Sequence, residues 1–333
     1  MFTFGVVLSK EGSLDMVKWG ILGGAVIAKD KVVPAIRQQQ GEIYAVASRS
    51  GDEEKLWADF QMEKLYRSYE ALIEDPEVDI VYIALPNQAH FEWAKKALQQ
   101  GKHVLSEKPL TVHKEEAKIL LALAKKENRQ VIEGFMYQYH PQIAALKQHI
   151  DKKTIGDLKI IQNSFHFMME DEAHDIRMQA HLDGGAMNDL GCYLVHSQHS
   201  FVKSDFKDIQ VLADMKQDVD VRTAVQVRYE NGVIGQMNCS FYGTFTNEMT
   251  LIGTEGKIHV PNAYRTDVME HKGILHIEKD GLPQIDERYV GDAYQLQIAA
   301  VHEKITTSVE PSERIVVQAS KLQQIQRKLR EVL

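Results

Sequence analysis

The chain has 333 residues, with 47 acidic side chains against 39 basic ones and a net charge of −8 at neutral pH. That length fits two domains of ~150 residues each, and the acidic balance with scattered Lys and Arg argues against nucleic-acid binding. No apolar run reaches the ~18 residues of a membrane span, and two cysteines, Cys192 and Cys239, make neither a disulfide framework nor a zinc site, so a reducing cytoplasm is expected.

Residues 1–15 read as a leader or tail ahead of the fold. Phe2 to Leu8 is too short for the apolar segment of a secretory signal and follows no basic head. The fold is expected to begin at Met16. Val17 to Leu22 is a short apolar strand that runs into Gly23-Gly24-Ala25-Val26-Ile27-Ala28 and a helix through Arg37. Glycines let a backbone approach a pyrophosphate, and the following helix N-terminus offers unpaired N–H groups. Gly23, Gly24, Ala25, Val26 and Ile27 are therefore candidate dinucleotide contacts. Ala25 occupies the place of the middle glycine, and an ordinary β-turn-α junction is the plainer alternative. A second strand, Ile43 to Ala47, ends in Ser48-Arg49-Ser50. An acid at this strand end would accept hydrogen bonds from an adenosine ribose. Ser48 and Arg49 suit a 2′-phosphate instead, so NADP is expected, while Asp52 nearby keeps NAD possible.

Asp79 to Leu85 is the next apolar strand and ends in Pro86-Asn87, with His90 three residues on. Gly101 to Leu105 leads into Glu107-Lys108-Pro109, and Gln130 to Gly134 follows. Helical patterns at Phe91 to Gln100 and Lys114 to Glu127 separate these strands. Alternating strands and helices predict a parallel, doubly wound Rossmann sheet over residues 16–138. Ligands of such sheets collect at the carboxyl ends of strands, where Lys108 stands on a base stiffened by Pro109.

From residue 139 to 333 the pattern predicts an α+β domain with an open, mostly antiparallel sheet. Val221, Thr223, Val225, Val227 and Tyr229 alternate with Arg222, Gln226 and Arg228, and Asn231-Gly232 signals a hairpin into Val233 to Phe241. Leu158 to Phe167, Ile209 to Met215, Glu248 to Leu251 and Lys257 to Val260 are further strands, and Ser312 to Leu333 is a long helix able to pack on either domain. The open sheet face could serve a partner subunit. After Gly184-Gly185, helical spacing puts Asp189, Tyr193 and His196 on one face. A carboxylate, a phenol and an imidazole together can hold a hydroxyl and move its proton. Equally, Asp189 can complement a helix dipole, Tyr193 can be packing and His196 can be solvated.

Taken together, Gly20-Ile21-Leu22-Gly23, Leu85-Pro86-Asn87 with His90, Gly101-Lys102-His103-Val104 leading to Glu107-Lys108-Pro109, and Gly184-Gly185 with Asp189, Gly191 and Tyr193 resemble the glucose–fructose oxidoreductase/inositol dehydrogenase (Gfo/Idh/MocA) family in order and spacing. Glu133-Gly134-Phe135-Met136-Tyr137, His140-Pro141 and Asp175-Ile176-Arg177 look like its NADP-linked sugar and dihydrodiol dehydrogenases. Gln138 departs from an arginine common in that branch, which leaves the substrate's identity open. The resemblance implies reversible hydride transfer between NADP and a secondary alcohol of a sugar, polyol or dihydrodiol, without a metal. It also implies a homodimer or homotetramer built through the C-terminal sheet. Lys108, Tyr193 and Asp189 are the expected catalytic residues; burial and a positive nicotinamide would lower the pKa of the lysine, and a charged lysine that of the phenol. Leu85, Pro86, Asn87, His90, Glu107 and Lys108 are the expected surroundings of the cofactor, and Arg177 and His196 the weaker expected substrate contacts. The rival readings are a nucleotide-sensing regulator or a scaffold on the same fold.

Overall fold

A computed structural model describes residues 16–307 and 309–331; the leader expected at residues 1–15 lies outside the described residues. The first half alternates β1 (Lys18–Leu22), α1 (Val33–Gln38), β2 (Glu42–Ala47), α2 (Glu53–Phe60), β3 (Lys64–Tyr66), α3 (Tyr69–Glu74), β4 (Ile80–Ile83), α4 (His90–Gln99), β5 (His103–Ser106), α5 (Lys114–Lys126) and β6 (Val131–Glu133). Its strands pair in parallel in the order β3-β2-β1-β4-β5-β6. The order reverses between β1 and β4, which opens a crevice at their carboxyl ends. The helix after the glycines differs from the expected single run: a π-helical turn at Ala28–Val32 precedes α1. Pro34 has no N–H to donate, and the wider register just ahead of it absorbs the missing bond. Leu22, Ala45, Ile83 and Val104 bury one face of the sheet under α3, α4 and α5, while Trp19, Ile21 and Val46 bury the other.

The second half contains α6 (Pro141–Asp151), β7 (Leu158–Met168), α7 (Cys192–Val202), β8 (Phe206–Lys216), β9 (Val219–Tyr229), β10 (Ile234–Ser240), β11 (Tyr242–Gly253), β12 (Gly256–Val260), β13 (Lys272–Lys279), β14 (Ile285–Val290), α8 (Ala293–Thr306) and α9 (Arg314–Glu331). These strands form an eight-stranded sheet, β14-β13-β12-β11-β7-β10-β9-β8, antiparallel except where β10 joins β7. The alternation read from β9 is observed: Val221, Val225 and Val227 are buried and Arg222, Gln226 and Arg228 exposed. Beyond the expected elements the structure adds β3, β13, β14, α2, α3, α6 and α8. The three residues of β3 are too few to carry a period, and β14 leaves both faces largely exposed.

The two halves share one continuous core. Trp19 in β1 donates its indole N–H to His302 of α8 at 3.1 Å. α9 packs on both halves. Ile315 joins the core beside α5, Gln318 donates to the Cys192 carbonyl at 2.9 Å, and Gln326 donates to Asn188 at 2.7 Å.

Candidate active site

Lys108 leaves the carboxyl end of β5 on a cis Lys108–Pro109 bond. Its Nζ donates to both the main-chain carbonyl and Oδ1 of Asp189, each at 2.8 Å, and lies 5.0 Å above the centre of the Tyr193 ring. Groups 85 positions apart along the chain thus meet at one point. A π-helical turn, Met187–Gly191, presents Asp189, and α7 begins directly after it with Tyr193 in its first turn. The turn is anchored by Asp220, whose Oδ2 accepts from the Met187 N–H at 2.7 Å. Gly185 allows this approach: its φ is +104°, and a Cβ would strike the Asp220 carboxylate.

Arg177 completes the charged cluster. Its Nε donates to Asp189 Oδ2 at 2.7 Å and its NH1 to Asp175 at 3.2 Å. Asp189 therefore sits between two cations with its side chain 13% exposed. Burial pushes its carboxyl up, but the charges of Arg177 and Lys108 outweigh that and hold it well below the usual carboxylate range. Burial likewise works to lower Lys108, and the Asp189 carboxylate outweighs it, leaving the ammonium more firmly protonated than a free lysine.

Tyr193 stands in an aromatic box of Phe135, Tyr137, Phe165 and Tyr264. Its hydroxyl contacts Met136 Sδ at 3.8 Å, so Lys108 touches the ring face rather than the oxygen. This corrects the expected lowering of the phenol pKa. Burial, followed by the nearby charge of Glu107, raises it well above 10.0. At neutral pH both groups hold their protons.

His196 is another correction. The π-helical turn Met187–Gly191 breaks the regular spacing that would have set it beside Asp189. It is 5% exposed, stacks on Phe135 at 4.2 Å and binds the Tyr137 hydroxyl through Nδ1 at 2.7 Å. Arg177 is likewise engaged with two carboxylates instead of standing free.

The expected cofactor residues line the crevice around β1, β2 and β4. Gly23 has φ +96°, and a Cβ there would lie 2.6 Å from the Ala84 carbonyl. Only glycine lets the turn pass that close to the end of β4. Gly24 is exposed, Ala25 and Ile27 are half-buried, and Val26 is 69% exposed in the first helical turn. Ser48 is buried at the end of β2, and Arg49 lies over the Tyr69 ring at 5.0 Å. Arg67, which sequence reasoning missed, joins them by donating to the Gly51 carbonyl at 3.3 Å. This donor set, with no carboxylate at the strand end itself, fits a phosphorylated ribose.

Around Lys108 several expected residues act on the protein itself. His90 is fully buried, and its two ring nitrogens lie 2.7 Å from the carbonyls of Leu85 and Pro109. Both nitrogens face main-chain carbonyls, one of which accepts the ring N–H, so the ring bridges the loop after β4 and the Lys108 turn. Asn87 donates to the Asp183 carbonyl at 2.8 Å, fastening the segment between β7 and α7 to the first half. Pro86 precedes it in extended conformation. Glu107 accepts from Tyr82 at 2.7 Å, and burial raises its pKa.

The packing of Phe165 and Tyr264 around Tyr193 and a second ion cluster were also missed. Asp267 binds Arg265 at 2.8 Å and Lys31 of the first π-helical turn at 3.0 Å. Phe135 and Tyr137 belong to the motif just past β6; Phe165 and Tyr264 carry no comparable signal.

Comparison with known proteins agrees with this geometry. Residues 17–135 match the model described as "Oxidoreductase family, NAD-binding Rossmann fold", and residues 143–259 match the GFO/IDH/MocA C-terminal domain. The chain is 32% identical, over 85% of its length and 82% of the relative's, to a dTDP-3,4-didehydro-2,6-dideoxy-alpha-D-glucose 3-reductase of Streptomyces violaceoruber. It is 29% identical, over 88% of its length and 90% of the relative's, to a D-xylose 1-dehydrogenase (NADP(+)) of Haloferax volcanii. A solved 3-ketoreductase from Actinomadura kijaniata, in complex with NADP and TDP-benzene, superposes with a TM-score of 0.86 at 27% identity, over 94% of this chain and 98% of that one. With family models matching both halves and a relative 32% identical over 85% of its length, this chain belongs to the GFO/IDH/MocA oxidoreductase family.

Proposed function

We propose that this protein uses NADP to interconvert a ketone and a secondary alcohol on a sugar, polyol or dihydrodiol, with Lys108 and Tyr193 handling the proton. The observation that carries this reading is the Lys108 ammonium seated on the Tyr193 ring and bound to Asp189. NADP, when bound, supplies or accepts the hydride. The exposed helical turn at Val26, the close turn at Gly23 and the Ser48-Arg49 strand end would hold its pyrophosphate and ribose phosphate. Pro86, Asn87 and Lys108 would surround the reacting end, with Leu85 and Glu107 behind them.

The protonation states favour reduction. A ketone oxygen placed beside Lys108 Nζ gains a charged hydrogen-bond donor where negative charge develops. The oxygen then needs a proton as C–H bond formation completes, and Tyr193, kept protonated by burial, is a donor suited to give it. Asp189 and Arg177 hold Lys108 in place. In oxidation the same groups would have to release their protons first, which raises the pH at which that direction runs.

We further assign residues 16–138 to nucleotide binding and 139–333 to substrate binding and self-association, through the open face of the eight-stranded sheet as a homodimer or homotetramer. Leu212, 75% exposed on β8, belongs to an edge such an association would cover. The two free cysteines, both buried, suit a reducing cytoplasm.

The test is NADPH oxidation against a panel of keto-sugars, with sugars, inositols and dihydrodiols offered in the reverse direction. Lys108→Ala is expected to keep NADPH binding and to lose about 100-fold or more in kcat. Tyr193→Phe, whose hydroxyl makes one weak sulfur contact, is expected to keep its Tm and also lose turnover. Wild-type turnover by Lys108→Ala would refute the assignment.

A further inference from the structure

Toward the C-terminal end of α7, a cleft of about 530 Å³ opens between α6, α7 and the start of α9. Lys147, Lys203, Arg314 and Lys321 line it against two carboxylates, Asp151 and Asp205, so the cleft is net positive in a chain of charge −8. The carboxylates are taken: Asp151 lies 3.7 Å from Lys203, and Asp205 lies 3.3 Å from Lys321. Lys321 is otherwise satisfied by the Ser204 carbonyl at 2.7 Å.

That leaves two cations without an acid among the described residues. Arg314 donates only to neutral oxygens, Ser200 Oγ at 2.6 Å and Gln138 Oε1 at 3.5 Å. Lys147, half-buried in α6, makes neither an ion pair nor a hydrogen bond among the described residues. His199, 7% exposed at the cleft wall, has no partner for Nε2. The unbalanced field is felt nearby: burial and then the charge of Arg314 depress Lys147 and Lys304, and push His199 down to about 3. Arg314 is exposed and Lys147 half-buried, and an unpaired, partly desolvated cation such as Lys147 is costly unless an anion compensates it.

We propose that this cleft binds a phosphate-bearing small molecule, with Arg314 and Lys147 as its principal ligands. A guanidinium fork with a neighbouring ammonium matches the oxygens of a phosphate dianion. The volume exceeds that of a bare ion and leaves room for an attached sugar. Ser200 is seven residues along α7 from Tyr193, roughly 10 Å at the helical rise, so this site is separate from the Lys108 cluster.

Isothermal titration of the NADPH-saturated protein tests it, because bound cofactor fills the phosphate contacts at Arg49. The probes are inorganic phosphate, glucose 6-phosphate and, as the uncharged control, glucose. Saturable binding of a phosphate probe but not of glucose is expected, and the tighter of the two identifies free phosphate or a sugar phosphate as the source. Arg314→Gln and Lys147→Gln each remove one cation that has no acid partner among the described residues and should weaken binding by about tenfold or more, with circular dichroism unchanged. Lys108→Ala should bind as wild type does. No saturable binding of either phosphate probe, unchanged affinity in Arg314→Gln, or loss of binding in Lys108→Ala would each overturn the proposal.

Discussion

Replacing Asp189 with Asn preserves the side chain's volume and deletes its charge. The carboxylate bonds Lys108 at 2.8 Å and Arg177 at 2.7 Å with 13% of its side chain exposed. After the change Arg177 keeps Asp175, whereas Lys108 keeps the main-chain carbonyl of residue 189 and a neutral amide oxygen but no anion. Removing one partner of a buried pair costs ~3–5 kcal/mol. The surviving partners put this case at the lower end, about 3 kcal/mol. At ~2–4 °C per kcal/mol for a large domain, Tm should drop by about 6–12 °C. The pH dependence follows from the directions of the shifts. Asp189, depressed in the folded state, contributes stability that is full above the unfolded carboxyl value of 3.8 and lost as pH falls through its folded value. Lys108, raised when folded, contributes stability that is full below 10.5 and lost as pH rises through its folded value. The gap between wild type and variant should therefore be flat near neutrality and close at both extremes. Urea denaturation across pH measures it. A gap under about 0.5 kcal/mol at pH 7, or one that persists undiminished in acid, would refute the ion-pair argument.

Three further outcomes are expected. Glu133 is 7% exposed, and burial pushes its carboxyl up to about 8, so the folded chain keeps a proton that the unfolded chain loses near 4.5 and stability falls as pH rises between those values. Glu133→Gln should abolish that slope and stabilise the protein above pH 8 by something on the order of 2–5 kcal/mol, read by calorimetry at pH 5 and pH 8.5; parallel pH trends for the two proteins would contradict it. Gly23→Ala combines a φ of +96° with a Cβ 2.6 Å from the Ala84 carbonyl, so a stability loss of ~1–3 kcal/mol and weakened NADPH binding are expected by fluorescence titration. Arg49→Glu should weaken NADPH about tenfold or more while affecting NADH less, and equal losses for both cofactors would remove Arg49 from the ribose phosphate.

Local pattern carried much of this protein. The β1 strand, its glycine turn and the Lys108 turn are each written within a few neighbouring residues, because strand period and turn chemistry are short-range properties. The alternation of β9 and its Asn231-Gly232 hairpin were legible for the same reason. β14 was not, since a strand with little burial on either face has no hydrophobic period. His196 shows the limit most clearly: helical spacing placed it beside Asp189 and Tyr193, but a π-helical turn and the packing of Phe135 took it into the interior.

The residue types that can hold a dinucleotide and move a proton, and the layered βα order that collects them at strand ends, were determined by the linear chain. Only the tertiary structure decided how they act on one another. Asp189 keeps Lys108 charged, burial keeps Tyr193 protonated, and His90 braces the backbone, because desolvation and Coulomb energy depend on three-dimensional neighbours that no spacing rule supplies.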